Sequence, residues 1–155
     1  MRRQALGIVM TALVAALAAG NIAVAKAGEQ WKGDIKWEYE LVEGSATIVD
    51  IGAFNGKPSG VLMIPSELDG YAVTRLGRDG GNYALMVGFM DVCSGITGVI
   101  IPDGVTSIGD KVFTQCERLT NVTIPDSVTS IGDYSFSQCL GLTNVIIPDG
   151  VLRAS

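Results

Sequence analysis

The 155-residue sequence contains no histidine. Histidine is the usual general base, the commonest metal ligand and the partner of serine or cysteine in nucleophilic catalysis, so its absence argues against ordinary enzyme chemistry. The three cysteines form no C-x-x-C spacing, which argues against a zinc site. Charged side chains make up only 17% of the residues and apolar ones 48%. This mixture excludes a disordered or fibrous chain and suits one compact domain.

Glycine is the residue that the chain has in abundance. The 20 glycines and 5 prolines are too many for a helical bundle of this length. We therefore expect a chain that turns often and contains few long helices.

The first 27 residues have the layout of a secretory signal peptide. Two arginines precede an uncharged apolar run over residues 5–19, and Ala25-Lys26-Ala27 offers small residues where a signal peptidase reads them. We expect cleavage before Gly28 and a secreted or cell-surface protein. Cleavage after Ala25 and an uncleaved membrane anchor are the alternatives.

Cleavage before Gly28 makes the chain strongly acidic. It takes the basic count from 11 to 8 against 16 acidic side chains, so the mature net charge is about −8. This charge favours solubility and repels nucleic acid and anionic lipid headgroups. We predict no nucleic-acid partner and no membrane insertion once the leader is removed.

The second half of the chain is an internal repeat. Residues 101–123 and 124–146 agree at 16 of 23 positions without a gap, and IPDGV at 147–151 begins a further copy. Weaker copies extend back over residues 60–100. The predicted array therefore covers residues 60–155, with a partial last copy at 147–155, and residues 28–59 form an N-terminal linker and cap.

Each copy predicts a short strand, a turn at proline and a second extended segment. In L-T-N-V-T-I from Leu119, alternation directs apolar side chains to one side, and Pro125 ends the strand because it cannot donate a ladder hydrogen bond. Gly132-Asp133 predicts a single helical or 3₁₀ turn after the second segment. Stacked copies align the inward side chains into one core. The predicted core positions are Ile108, Phe113, Cys116, Leu119, Val122, Ile131, Phe136, Cys139, Leu142 and Val145.

The pattern I-P-x-x-V-T-S-I-G-x-x-x-F-x-x-C-x-x-L-T-x-V resembles the BspA-like leucine-rich repeats of microbial surface proteins. The resemblance implies a right-handed, parallel, β-rich leucine-rich-repeat solenoid with short helical turns. It also supports reading residues 37–51, two alternating runs joined at Glu43-Gly44-Ser45, as a β-hairpin cap on the first coil. A non-catalytic scaffold for adhesion or protein recognition is what the family implies, without cofactor or catalytic residue.

The cysteines recur every 23 residues, as Cys93, Cys116 and Cys139. Stacking brings their α-carbons to about 5 Å, within disulfide range, but points the Cβ atoms in the same direction. We interpret all three as thiols packed in the core. A disulfide between neighbours is the alternative, and an odd count leaves at least one cysteine free.

Aspartates form two further columns, one at Asp103, Asp126 and Asp149 and the other at Asp110 and Asp133. Stacked carboxylates could hold calcium or act as an acid and base pair. We favour turn chemistry, in which an Asp after Pro or Gly accepts a hydrogen bond from a backbone N–H two or three residues on. No metal ion and no catalytic residue are predicted.

Side chains that point away from the core mark the candidate binding surface for a protein or glycan ligand. Three of the four central positions are apolar, which is typical of a contact surface, although β-branched residues also simply suit strands. The predicted outward residues are Met63, Ile100, Thr123 and Ile146, flanked by Gly98, Asn121 and Asn144.

Two other functions compete with binding. Leu152-Arg153-Ala154-Ser155 departs from T-S-I-G, which predicts an uncapped apolar edge and self-association of a truncated structural fragment through it. A polysaccharide-acting β-helix enzyme would need paired carboxylates on neighbouring coils, and the F-x-x-C turn argues against that class.

Overall fold

The structure, a computed structural model, describes residues 24–53, 58–78 and 92–152. Residues 1–23 of the predicted leader, part of the weaker copies predicted over residues 60–100 and residues 153–155 of the partial last copy lie outside these residues. The described strands are β1 (Val24–Lys32), β2 (Ile35–Val42), β3 (Ser45–Ala53), β4 (Gly60–Met63), β5 (Glu67–Leu68), β6 (Tyr71–Leu76), β7 (Ile96–Ile100), β8 (Ser107–Ile108), β9 (Asn121–Thr123), β10 (Ser130–Ile131) and β11 (Asn144–Val145).

The N-terminal strands β1, β2 and β3 form an antiparallel meander. The predicted pairing of residues 37–51 appears as β2 and β3, and Glu43 and Gly44 between them both have positive φ, 51° and 79°. Two such residues suit a tight hairpin turn that follows the twist of the strands. Strand β1 was not predicted, because its sequence does not alternate regularly. It pairs along β2 from Val24↔Val42 to Lys32↔Ile35, and so overlaps the predicted leader by four residues.

The repeated copies stack as two parallel sheets. One sheet has the order β3-β6-β8-β10, with β1 and β2 continuing it beyond β3 and β5 paired to β6. The other has the order β4-β7-β9-β11. Residues 23 apart lie side by side in both sheets, as in Val99↔Val122 and Ile108↔Ile131.

The core lies between the two sheets and is closed by the turns of each copy. Ile108, Phe113, Cys116 and Leu119 are fully buried, while Val122 and Ile131 expose 4% and 6% of their surface. In the following copy the side chains are only partly buried, because no further described coil covers them. These are Phe136, Cys139, Leu142 and Val145.

Turns, and no helix, occupy residues 110–115 and 133–138, where we expected a helical turn. Lys111 and Gln115 have φ of 59° and 61°, and the N–H groups of Lys111, Phe113 and Gln115 donate to carbonyls of the next copy. A helix would have bonded these groups within its own segment. The left-handed residues instead turn alternate N–H groups toward the neighbouring coil, which ties the copies together.

A disulfide joins Cys93 to Cys116, so the interpretation of all three cysteines as thiols is wrong for this pair. The α-carbons lie 4.5 Å apart, close to the separation that stacking predicts, so the interpretation failed on the directions of the two side chains and not on their separation. Cys139, one copy further on, is a free, half-buried cysteine.

Candidate binding surface

The outward face of the sheet formed by β4, β7, β9 and β11 carries the candidate binding residues. Strand alternation buries Leu62, Val99 and Val122 against the core, with at most 4% of their surface exposed. Their neighbours in sequence therefore point away from the core. All six predicted binding residues are exposed there: Met63, Ile100, Asn121, Thr123, Asn144 and Ile146.

Register groups these side chains into columns that cross the strands. Met63 lies beside Ile100, and Ile100 lies beside Thr123, which makes one column. Asn121 lies between Gly98 and Asn144 in the second column. The second column ends in the amide side chains of Asn121 and Asn144. The first changes from apolar Met63 and Ile100 to Thr123, and the exposed Ile146 follows one copy further on.

Val61 belongs to this surface and was missed in the sequence. It faces Gly98 in the register, and 59% of its surface is exposed. The usable signal was its position two residues before Met63, which places both side chains on the same side of the strand. We refer to Val61, Met63 and Ile100 as the apolar strip.

Gly98 lies beneath Val61 on this surface. A Cβ atom built on it would lie 3.2 Å from Cγ2 of Val61, tighter than ordinary packing, and Gly98 is buried. The absent side chain therefore lets Val61 pack over the backbone of β7.

The aspartate columns differ from one another in their contacts. Oδ1 of Asp110 accepts a hydrogen bond from the backbone N–H of Asp133 at 2.9 Å, so this carboxylate bridges two copies. Asp103, Asp126 and Asp149 are exposed in the turns that follow the strands. Among the described residues, no group of three or more Cys, Asp or Glu side chains could hold a metal ion.

The free thiol of Cys139 is poorly placed to act as a nucleophile. Burial raises its pKa, and its Sγ donates a hydrogen bond to the carbonyl of Phe113 at 3.1 Å. A thiol reacts through its thiolate, whose population at neutral pH falls when the pKa rises. The structure therefore places Cys139 in a packing role.

Comparison with known proteins identifies the repeat. Residues 87–154 match the family described as "BspA type Leucine rich repeat region (6 copies)". This stretch is a BspA-type leucine-rich repeat region. It begins within the degenerate copy that precedes β7 and continues past β11. No curated protein matches the chain.

Solved structures of bacterial leucine-rich repeat proteins share the fold of the BspA-type region and the strands before it. A Bacteroides capillosus protein is 27% identical, with a TM-score of 0.63 over 81% of this chain and 86% of its own. A Bacteroides ovatus protein is 28% identical, with a TM-score of 0.61 over 79% of this chain and 30% of its own. A leucine rich cell surface protein of Faecalibacterium prausnitzii is 27% identical, with a TM-score of 0.55 over 76% and 30%.

This chain thus spans only about a third of the length of two of these relatives. Leucine-rich repeat proteins of this type suggest a role in binding or adhesion and are generally non-catalytic. Within the ranges that the structure describes, no helix is long and apolar enough to cross a membrane.

Proposed function

We propose that this chain is a secreted or cell-surface binding module that acts without catalysis. The observation that carries the proposal is the apolar strip, whose three side chains are 59%, 70% and 39% exposed on the face opposite the core. Folding gains nothing by leaving such side chains adjacent and in water, and contiguous exposed apolar groups typically mark contact surfaces. The ligand is a protein or a glycan on another surface.

A right-handed solenoid with the β2–β3 hairpin as its N-terminal cap is part of the same proposal. Parallel strands of one sheet joined by a crossover are almost always right-handed. The pairing of β3 with β6 supports the cap, since it extends the sheet of the repeats into the meander. Such a cap satisfies the backbone groups of the first coil, which would otherwise be an open edge.

The absence of catalysis is supported by the chemistry of the surface. The residues on the sheet face are Val, Met, Ile, Gly, Asn and Thr, and none of these side chains is a general acid, a base or an activated nucleophile. A polysaccharide-acting enzyme would need paired carboxylates on this face, and the residues just named include none.

Binding to arrays of purified extracellular proteins and of glycans tests the proposal. The double variant V61S/M63S removes most of the apolar strip, while L140S/L152S removes two apolar side chains that are 79% and 87% exposed away from the sheet face. We expect V61S/M63S to weaken binding at least tenfold and L140S/L152S to bind like the wild type. Equal effects of the two variants, or binding that neither alters, would contradict the proposal.

Self-association is the second candidate function. Ile146 and Ile147 are 83% and 50% exposed beside β11, a strand whose outer edge has no partner among the described residues. Unpaired parallel edges readily accept another strand. Light scattering on the purified chain decides this: a dimer or larger species that I146K converts to a monomer would support self-association, and a monomer at all concentrations would exclude it.

A further inference from the structure

An acidic rim borders the sheet face along the ends of its strands. In each copy the strand is followed by Ile-Pro and then, within two residues, by an exposed carboxylate. The rim consists of Glu67, Asp103, Asp126 and Asp149.

Contacts between the turns keep the carboxylates of Asp103, Asp126 and Asp149 in one row. The backbone N–H of Gly104 donates to Oγ of Ser127 at 3.1 Å, and Oγ of Ser127 donates to the carbonyl of Val105 at 2.8 Å. A Cβ built on Gly150 would be in van der Waals contact with the Asp126 carbonyl, at 3.8 Å. The turns therefore stack like the strands, whose spacing is about 4.8 Å.

Among the described residues, no Lys or Arg forms an ion pair with this row. The segments 64–69, 101–106, 124–129 and 147–152 contain no Lys or Arg. In the part of the chain that the structure describes, none of the four rim carboxylates forms an ion pair. The exposed Arg118 precedes β9 and so lies at the opposite end of the strands.

Charge and apolarity together define the partner. Carboxylates about 5 Å apart lie well within the Debye length of about 8 Å at physiological salt, so their fields add and attract cations. The apolar strip begins three residues before the rim, at Ile100 relative to Asp103. Sugar hydroxyls would lose hydrogen bonds to water against Val61, Met63 and Ile100, whereas apolar side chains would gain by burial there.

We infer that this face binds an extended protein segment that is both cationic and apolar. Its apolar side chains cover the strip and its Lys or Arg side chains lie along the rim. The inference rests on the proposed function and specifies its ligand. A membrane is disfavoured as the occupant, because its anionic lipids would meet the carboxylates of the rim.

Synthetic peptides test the inference directly. Fluorescence anisotropy would measure how the purified protein, with its N-terminus as the expressing cell leaves it, binds three labelled peptides. These are (Lys-Leu)4, (Lys-Ser)4 and (Glu-Leu)4. We expect (Lys-Leu)4 to bind at least tenfold more tightly than either of the others, and its affinity to fall as salt is raised. Equal binding of (Glu-Leu)4 would overturn the inference.

Matched variants separate the rim from the overall charge. D103N/D126N/D149N removes three of the four rim carboxylates, and D34N/E43Q/E117Q removes the same number of exposed carboxylates elsewhere. We expect only the rim variant to lose at least tenfold in affinity for (Lys-Leu)4 and most of its salt dependence. Equal losses would mean a response to net charge alone and would contradict the inference. Circular dichroism checks that both variants are folded.

The two proposals can fail separately. If the array ligand of the wild type is lost in V61S/M63S but (Lys-Leu)4 does not bind, the binding function stands and the cationic partner is wrong. If V61S/M63S leaves both array and peptide binding unchanged, the sheet face is not the binding surface and both proposals fail.

Discussion

The ring of Phe113 stacks on the ring of Phe136, one copy further along, with centroids 5.4 Å apart and planes inclined by 13°. The two side chains occupy the same position of their repeats, yet Phe113 is fully buried and Phe136 only partly. Equivalent residues therefore differ in the stability that they provide, according to whether a coil covers them.

Truncation of the two phenylalanines should show this difference. Phe113→Ala is expected to lower the free energy of unfolding by about 3–5 kcal/mol, because it leaves a cavity between two covered coils. Phe136→Ala should lower the free energy of unfolding by clearly less, since water can fill the space that its partly exposed ring leaves. Urea denaturation followed by circular dichroism measures both values, and equal losses would contradict this account of the packing.

Gln115 offers a test of the turn conformation. Its φ of 61° is costly for a residue with a Cβ atom and costlier still for a β-branched one. Gln115→Gly should therefore leave stability unchanged or raise it by up to about 1 kcal/mol, and Gln115→Val should lower it. As a control, Glu117→Gly, at an exposed neighbour that does not have positive φ, should lower stability. Thermal denaturation of the three variants and the wild type measures their order of stability.

Reduction of the disulfide between Cys93 and Cys116 should destabilise the array. The bond closes a loop with a sequence separation of 23, for which the entropy of the unfolded chain predicts about 3 kcal/mol. Denaturation with and without dithiothreitol measures the difference. The variant C93A/C116A should not respond to the reductant, and Cys139→Ser should respond like the wild type. Three alkylated thiols in the native, unreduced protein would show that the bond is not formed.

Tyr39 predicts a loss of stability at alkaline pH. Burial raises the pKa of its hydroxyl, and so does the hydrogen bond that this group donates to Oδ2 of Asp69 at 2.5 Å. The folded state favours the neutral phenol, so Tyr39 stabilises the fold fully at pH values below about 10, the pKa of its hydroxyl in the unfolded chain. This stabilisation is lost as the pH rises from there through the higher pKa of the folded state.

Tyr39→Phe is the matched variant for this prediction. At pH 7, where the wild type has the hydrogen bond, the free energy of unfolding of this variant should be about 1 kcal/mol lower. Between pH 9 and pH 11 the free energy of unfolding should fall less in the variant than in the wild type. Chemical denaturation across this range provides the comparison. Parallel pH profiles for the two proteins would contradict the assignment.

The repeat made much of the fold predictable. Identity over 23 residues places equivalent side chains in register, and the alternation around Val122 separates buried from exposed positions without further information. The same alternation locates exposed candidates such as Met63 and Ile100. Their role in binding stays a prediction, because exposure alone does not identify a ligand.

The features that could not be predicted depend on contacts between coils. The turns at Lys111 and Gln115 take a left-handed conformation because their N–H groups bond the next copy, and no local propensity indicates it. The bond between Cys93 and Cys116 depends on the directions of the two side chains, which the sequence period does not fix. Strand β1 forms because β2 offers it an edge, although its own sequence alternates poorly.

The in-register pairing of Val99 with Val122 and of Val122 with Val145 sets the unit by which this protein can change its length. Deleting residues 101–123 would join Ile100 to Ile124-Pro125-Asp126, which reproduces the Ile-Pro-Asp junction after the strand. An insertion or deletion of one whole copy therefore leaves every remaining neighbour relationship intact. Loss of a single residue within a copy would instead misalign both sheets at once. Evolution and protein engineering can thus widen or narrow the binding face in steps of one coil.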